Sequence, residues 1–328
     1  MRKNVLFAGH DFKFLNDFIS FVRAQGWNVS IDRWFRHSRH NWLHSMYQLR
    51  RADVIFCEWG LGNAVWYGRN KRPGQLLFVR VHSQEVRGNY LARVPKDKVD
   101  MFIFVSEHVR RAALSKGMVY PHNSVVIPNA IDTHGLALPK RADVERTVAM
   151  VGYVPKAKRL DRALELITSL REKDPEFRLI LKGKRPDELK WLKLRTEEVE
   201  FFKQQKARIC DEHMLERKAV EFSGFSTDMP SFYQGVSHII SLSDYESFHL
   251  GLAEGAASGA TPTILRWEGS EELYPSDWIC DSLGEMVERI ISAPESVDSD
   301  AIQWVRRKYD VNVVYEQLMN LVDHAGEP

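Results

Sequence analysis

The sequence predicts an α/β protein built from two parallel-sheet domains. Three observations predict it. Short β-branched or aromatic runs alternate with helix-period segments from the first residues onward, which is the βαβ pattern. The alternation halts at a polar stretch, IDTHGLALPKRADVER (131–146), and then begins again. A chain of 328 residues is long for one ordinary domain and comfortable for two, each able to bury its own core.

In the first domain, residues 1–141, strands are expected at NVLFAGH (4–10), WNVSIDRW (27–34), DVIFCEW (53–59), LLFVRVH (76–82), DMFIFVS (100–106) and SVVIPNA (124–130). Helices such as DFKFLNDFISFVRAQG lie between them. Most of the runs are apolar on both faces, as buried parallel strands are. In the second domain, residues 142–305, the runs are TVAMVGYV (147–154), FRLILKG (177–183), VEFSGF (220–225), HIISLS (238–243), TPTILRW (261–267) and WIC (278–280). The charged segment 186–220 is longer than a normal crossover and reads as one or two exposed helices with a solvated face. Residues 306–328 read as a final helix packing back across the first domain. Ligands of paired sheets of this kind are expected beyond the strand C-termini, in the crevice between domains.

Hydrophobic residues at 44% and charged residues at 27% exclude disordered and fibrous classes. No apolar run approaches the roughly 18 residues of a membrane span, and Lys13 stands where a signal peptide would be apolar, so a cytoplasmic location is expected. Cys57, Cys210 and Cys280 are far apart and odd in number, so neither a disulfide framework nor a zinc spacing is expected. The net charge of +2 hides a division. Residues 1–141 carry 22 Lys and Arg against 10 Asp and Glu, giving +12, while the remainder carries 24 against 34, giving −10. Only the first half is thus expected to face something anionic. No nucleic-acid recognition module is visible in it, and nucleic acid is not an expected partner.

The stretch SDYESFHLGLAEGAASGATPTI (243–264) carries the chemistry. A strand, HIISLS, leads into a loop and then a helix rich in small residues. Gly251, Gly255 and Gly259 recur every four residues and share one helical face, to allow either tight packing on the sheet or close approach of a ligand. Glu254 lies on the edge of that face and Glu246 in the loop before it. The N–H groups of Ser247, Phe248 and His249 are expected to open the helix and to be available to a phosphate. Acceptors for sugar hydroxyls at both ends, with an anion cradle between, suit a nucleotide diphosphate-sugar.

The E-x7-E pattern after a strand, ESFHLGLAE, resembles the signature of retaining glycosyltransferases of family 4, which have the GT-B fold of two Rossmann-like domains with parallel sheets facing across a cleft. The resemblance implies that Glu246 contacts the donor sugar, that the amides of Ser247, Phe248, His249 and Leu250 hold sugar and diphosphate, and that Glu254 binds the ribose. MVGYVPKAKRLDRALELI resembles the family's segment opening the second domain, with Gly152 in place and Lys158 at the Lys that neutralises the diphosphate. Tyr153 occupies the position of the usual Arg; Lys156, Arg159 or Arg185 could substitute, or activity could be low. FRLILKGK and VEFSGF resemble the strand ends whose Gly183 and Gly224 let the nucleotide approach beside Lys182, with Phe225 near the base. VSEHVRRAAL…VVIPNAID resembles the close of the first domain, with Asn129 and Asp132 kept and Ala130 where Gly is usual. The resemblance covers residues 100 to 275 best.

Carried into the first domain, the resemblance gives His82 a hydrogen bond to the transferred sugar, with Ser83, Gln84 and Glu85 on the acceptor side. A strand-end His is otherwise an ordinary satisfied residue. The first βα turn reads AGHDFK, so only Gly9 remains of the usual Gly-Gly pair, and His10 and Asp11 are acceptor-binding candidates there. Segment 32–51 mixes Arg33, Arg36, Arg39, Arg50 and Arg51 with Trp34, Phe35, Trp42 and Tyr47. It suits a membrane interface with anionic headgroups, an anionic glycan or phosphate polymer, or a helix docking its aromatics on the sheet.

For a retaining transferase of this type the resemblance implies a front-face reaction in which the leaving phosphate takes the acceptor proton. His82, Lys158 and Glu246 form the catalytic group, no metal or cofactor is required, and the nucleotide-diphosphate sugar, most simply a UDP-sugar, is the donor. The acceptor implied is a glycan, a lipid-linked sugar or an anionic polymer of bacterial surface polysaccharide or glycoconjugate synthesis, handled at the inner face of the membrane. The rival is a non-catalytic subunit of the same fold that binds a nucleotide sugar or glycan. Paired acids also suggest glycoside hydrolysis, but a helix face stripped of side chains suits holding a ligand better than donating protons.

Overall fold

The computed structural model describes residues 3–88, 90–142, 144–293 and 297–324, and its strands fall where the alternation places them. In the first sheet β1 (Asn4–Gly9), β2 (Asn28–Arg33), β3 (Val54–Cys57), β4 (Leu76–Val81), β5 (Met101–Phe104) and β6 (Ser124–Val126) pair in parallel in the order β2-β1-β3-β4-β5-β6. In the second, β7 (Thr147–Val151), β8 (Arg178–Lys182), β9 (Val220–Gly224), β10 (His238–Ser241), β11 (Thr261–Leu265) and β12 (Ile279–Cys280) run in the order β12-β11-β10-β7-β8-β9, again parallel throughout. Helices connect the strands, as parallel pairing requires.

Both sheets hold strands apolar on both faces. Phe7, Phe56, Phe78 and Phe102 are buried along neighbouring strands, with Phe7 and Phe56 at 5.5 Å and Phe56 and Phe78 at 6.3 Å between ring centroids. Each such side chain contributes about 1.5–3 kcal/mol of burial free energy. In the second sheet the helix Leu160–Lys173 buries Leu160, Ala163, Leu164, Ile167 and Leu170, the i, i+3, i+4 series of one face, into the core with Leu179 and Leu181 of β8.

The chain divides into a unit of residues 1–130 and 312–328 and a unit of residues 131–311. The polar stretch after β6 belongs to the second unit because its backbone and lysine are bonded there. The Ile131 N–H donates to Tyr309 O at 2.8 Å, the Arg141 N–H to Gln234 O at 2.9 Å, and Lys140 Nζ to Tyr233 O at 2.9 Å. The expected final helix is two helices, Ser299–Tyr309 and Val311–His324, broken at Asp310. The second returns to the first unit, where the Tyr315 ring lies 5.2 Å from both Phe18 and Phe21 and Lys3 Nζ donates to Val322 O at 2.9 Å. The last residues of that expected segment, 325–328, lie outside the described residues.

Segment 186–220 forms one long helix, Thr196–Asp211, after two short turns. Its face is not wholly solvated, since Phe202 and Ile209 join the second core.

Candidate functional site

The order of the second sheet reverses between β7 and β10, and the loops leaving these two strands diverge there to opposite faces. That is the topological switch point at which open parallel sheets bind ligands. Gly152 follows β7, Gly183 follows β8 and Gly224 ends β9, with φ of 76°, 137° and 66°. The Gly152 N–H donates to Lys182 O at 2.8 Å and the Gly183 N–H to Gly224 O at 3.0 Å, so the three strand ends form one row without side chains. A side chain at these φ values would be strained, and backbone is what remains to face a ligand.

Across the switch point Lys158, from the β7 loop, donates through Nζ to Glu246 Oε1, from the β10 loop. Ser243 Oγ donates to the same oxygen at 2.7 Å. Glu246 is buried, which alone would raise its pKa, but the charge and hydrogen bond of Lys158 outweigh burial and hold the carboxyl below its usual range. His249 Nδ1 lies 2.7 Å from Ser241 Oγ and 3.7 Å from Glu246 Oε1, and the ring also bonds the Val151 carbonyl. Burial pushes the His249 pKa down to about 4, so it is neutral near pH 7 and acts as a brace between β7 and β10. The two loops are further tied by the Asp244 N–H donating to Ala157 O at 2.9 Å.

Several expectations need correction here. Arg159 does not offer a free charge in place of the missing Arg: its guanidinium donates to Asp161 at 2.7 Å and to Asp244 at 2.9 Å. Lys156 is paired with Glu197. The Tyr153 side chain turns into the core, 1% exposed, with its ring 6.0 Å from Phe222, so only its backbone can face a ligand. Lys182 is buried, with Nζ 4.8 Å from the centre of the Phe232 ring. The exposed cations beside the glycine row are Lys184, over the exposed Phe225 ring at 5.1 Å, and Arg185, over Phe222 at 5.4 Å.

The helix after β10 spans Leu250–Ala257, so Ser247, Phe248 and His249 do not open it as expected, because His249 takes the left-handed conformation (φ 61°) as N-cap. Ser247, Phe248 and His249 therefore form the approach loop, and Leu250 is the first helical residue. Phe248 is buried edge-on against Tyr309 at 4.8 Å, and its carbonyl accepts from the Tyr274 hydroxyl. The glycine face of the helix is turned to the sheet rather than to a ligand. A Cβ on Gly251 would lie 2.7 Å from Val151, and one on Gly255 would lie 2.7 Å from Ile239, so these glycines allow the helix to lie directly on β7 and β10. Gly259 ends the helix with φ 85°.

Glu254 lies half-buried on the same helix, and Tyr233 OH is 3.0 Å from its Oε2 and 2.9 Å from Gly251 O. Burial pushes the Glu254 pKa up to about 7 against the opposing Tyr233 hydrogen bond. Motif reading missed Tyr233, and it missed Glu198, whose Oε2 accepts from the Lys156 N–H at 2.7 Å and so links the long charged segment to the β7 loop. No sequence pattern marks either, because each acts through a contact between distant segments.

In the first unit the sheet reverses between β1 and β3, and Gly9 approaches β3 so closely that a Cβ would lie 3.0 Å from Glu58 O. His82 does not face solvent. It is 4% exposed, stacked on Phe14 at 5.0 Å and 4.4 Å from Trp59, with Nε2 3.4 Å from Glu58 Oε1. Burial, the largest influence, lowers its pKa. This is the satisfied strand-end histidine, and the expected bond to a sugar is not open to it as it stands. Around it lies a buried charged group of which motif reading marked Glu85 and Asn129 but not Arg80 or Glu58, and Glu85, expected on the acceptor side, is itself buried. Arg80 NH1 is 3.7 Å from Glu58 Oε2, Arg80 NH2 donates to Asn129 Oδ1 at 2.5 Å, and Glu85 Oε1 accepts the N–H groups of Gly60 and His82, each at 3.1 Å. Trp59, with a left-handed φ of 68°, His10 and Phe14 form a cluster of rings at this strand end, with His10 also 4.8 Å from His37. The Asp11 carbonyl accepts from Trp59 Nε1 at 3.0 Å, and Ser83 and Gln84 begin the helix Ser83–Arg87.

Segment 32–51 divides its aromatics. Trp34 is buried and stacked on His40 at 3.9 Å, while Phe35, Trp42 and Tyr47 are exposed. Asp32 is buried beneath them, and its Oδ2 accepts from Trp34 Nε1 at 2.9 Å, Ser45 Oγ at 2.6 Å and Tyr67 OH at 2.7 Å. Among the described residues no group of three His, Cys, Asp or Glu is placed to hold a metal ion, and no helix is long and apolar enough to cross a membrane.

No curated protein matches the chain in sequence. Solved structures do match in fold. The UDP complex of Alr3699/HepE from Anabaena is 15% identical with a TM-score of 0.70, over 98% of this chain and 100% of that one. A glycosyltransferase from Rickettsia africae is 10% identical with a TM-score of 0.71, over 99% of each chain. A sucrose-phosphate synthase from Thermosynechococcus elongatus is 14% identical with a TM-score of 0.68, over 98% of each. The chain thus has the two-sheet fold of the GT-B glycosyltransferases, and its residues 139–270, which carry the switch point of the second sheet, match the family described as glycosyl transferases group 1.

Proposed function

We propose that the protein is a retaining glycosyltransferase of family 4 type that moves a sugar from a nucleotide-diphosphate donor to a glycan, lipid-linked or anionic polymer acceptor. The observation that carries this reading is the Lys158–Glu246 pair at the switch point of the second sheet, beside the glycine row and within the segment that matches the family. UDP is the favoured nucleotide, since the HepE structures hold UDP and UDP-glucose. The second unit binds the donor and the first the acceptor, and the product feeds bacterial surface polysaccharide or glycoconjugate synthesis on the cytoplasmic side.

In this reading the donor's C1–O bond to the β-phosphate breaks while the acceptor oxygen bonds C1 on the same face, and the acceptor proton passes to the leaving phosphate oxygen. Lys158 turns from Glu246 to the diphosphate, where charge grows as the bond breaks, and Glu246 is then free to accept from sugar hydroxyls. The amides of Ser247, Phe248, His249 and Leu250 meet the phosphates, Glu254 accepts from the ribose, and the bare backbone of Gly152, Gly183 and Gly224 lies under the nucleotide with Phe225 beside the base. Lys184 and Arg185 supply the cationic surroundings that Arg159 cannot, so the step needs no metal or cofactor.

The test is nucleoside diphosphate release by the purified protein from a panel of UDP-sugars with glycan and lipid extracts, repeated with Lys158→Ala and Glu254→Ala. Release that both substitutions abolish supports the transferase. One observation favours the non-catalytic subunit: two of the three cations that could replace the missing Arg, Lys156 and Arg159, are paired with carboxylates. Donor binding without release from any donor would establish that rival.

A further inference from the structure

In the first unit, the large apolar side chains that stand exposed among the described residues are confined to one place. Phe35 is 74% exposed, Trp42 57%, Leu43 72% and Tyr47 56%. In a monomeric protein such residues are ordinarily scattered singly; four within thirteen positions form a patch. They lie on the loop after β2 and on the helix Trp42–Arg51, where Leu43, Tyr47 and Arg51 recur every four residues on one face.

The charges around the patch are of one sign. Arg33, Arg36, Arg39, Arg50 and Arg51 are all exposed, and no Asp or Glu occurs between residues 33 and 52. Arg51 folds over Tyr47, its NH1 2.5 Å from the hydroxyl and its guanidinium carbon 5.2 Å from the ring centre. Cations flanking aromatic and aliphatic side chains fit the boundary between headgroups and acyl chains, where rings and Leu enter the apolar edge and arginines stay with phosphates. A soluble polyanion would use the arginines but would leave Leu43 and Phe35 in water.

We propose that this loop and helix bind the surface of a bilayer rich in anionic lipid, as a peripheral contact lying in the headgroup plane. The proposal concerns a surface apart from the Lys158–Glu246 site and holds whether or not that site turns over a donor.

The test is co-sedimentation of the full chain, without donor, with phosphatidylcholine vesicles made with and without phosphatidylglycerol. Binding is expected only to the anionic vesicles and should weaken with salt. Trp42→Ser with Leu43→Ser keeps the charge and should lower binding about tenfold, as loss of buried apolar area requires; Arg50→Glu with Arg51→Glu should lower it similarly. Phe35→Ser with Tyr47→Ser is a second apolar pair, to be read if thermal melting shows the first to be misfolded. Absence of binding to anionic vesicles at low salt overturns the proposal. So does vesicle binding that the apolar pairs leave unchanged while soluble polyphosphate competes it away, which would make the patch a polyanion site.

Discussion

Lys158 and Glu246, eighty-eight residues apart in sequence, form an ion pair in which the lysine is partly open to solvent and the glutamate is not. The asymmetry decides what each substitution does. Removing the lysine takes the cation from a buried carboxylate that also accepts from Ser243. Lys158→Ala should therefore destabilise by about 1–3 kcal/mol, the cost of a buried polar group losing its partner. Lys158→Ala with Glu246→Gln should recover most of the melting temperature while donor turnover stays abolished. Recovery of turnover in the double variant would show that the lysine serves the fold alone.

Glu254 introduces a pH dependence. Its folded pKa, raised to about 7 by burial, lies above the ordinary carboxyl value. The stability this group contributes is fully present below its unfolded pKa and is lost as pH rises through about 7. In the proposed reading Glu254 accepts from the ribose, and the ionised carboxyl is the stronger acceptor, so donor affinity should rise between about pH 6 and 8 while stability falls. Glu254→Gln should flatten both profiles, measured by calorimetric titration of UDP and by thermal melts. Tyr233→Phe removes the hydrogen bond that opposes burial and should move the affinity rise to higher pH.

The helix Leu250–Ala257 lies on β7 and β10 only because Gly251 and Gly255 have no side chains. Gly251→Ala should cost about 1–3 kcal/mol through overpacking against Val151. Gly251→Ala with Val151→Ala should restore part of it. An unchanged melting temperature in Gly251→Ala would contradict the packing role and reopen the ligand explanation for the glycine spacing.

His82 is filled in on both sides by Phe14 and Trp59. His82→Ala should lower the melting temperature, because it opens a cavity and removes a neighbour of the buried Glu58. Arg80→Ala should be more severe, on the order of 3–5 kcal/mol, since it strips the cation from that carboxylate. A His82→Ala protein that melts normally but turns over its donor poorly would return the histidine to the sugar-contact role.

The strands and their order of appearance were legible because parallel strands buried on both faces are written as local apolar runs, and each run contains its strand. Their ends were read a residue or more too long at 53–59 and 76–82, where Glu58, Trp59 and His82 keep strand-like composition while leaving the sheet. Lys158 and Glu246 were each marked by motif resemblance through their own local patterns, but that they pair with one another was not legible, because it joins two loops 88 residues apart. Arg159 was misread as a free charge because its partners, Asp161 and Asp244, lie on two different segments, and no local pattern says which carboxylates a guanidinium will meet. Tyr153 was misread for the converse reason: a position in a motif does not fix whether its side chain turns out or in.

Asp32 gives the first unit a property that oil-like packing alone would not. Trp34 and Tyr67 hold the carboxylate oxygen of Asp32 in place, and Ser45 of the helix Trp42–Arg51 donates to that same oxygen, which ties the roll of that helix about its own axis to a fixed point. Apolar contacts tolerate rotation; directed bonds to a single atom do not. The greasy residues above are thus kept from turning under, and Asp32→Leu would let the helix swivel and sheathe Trp42 and Leu43, trading a sticky exterior for a quieter one.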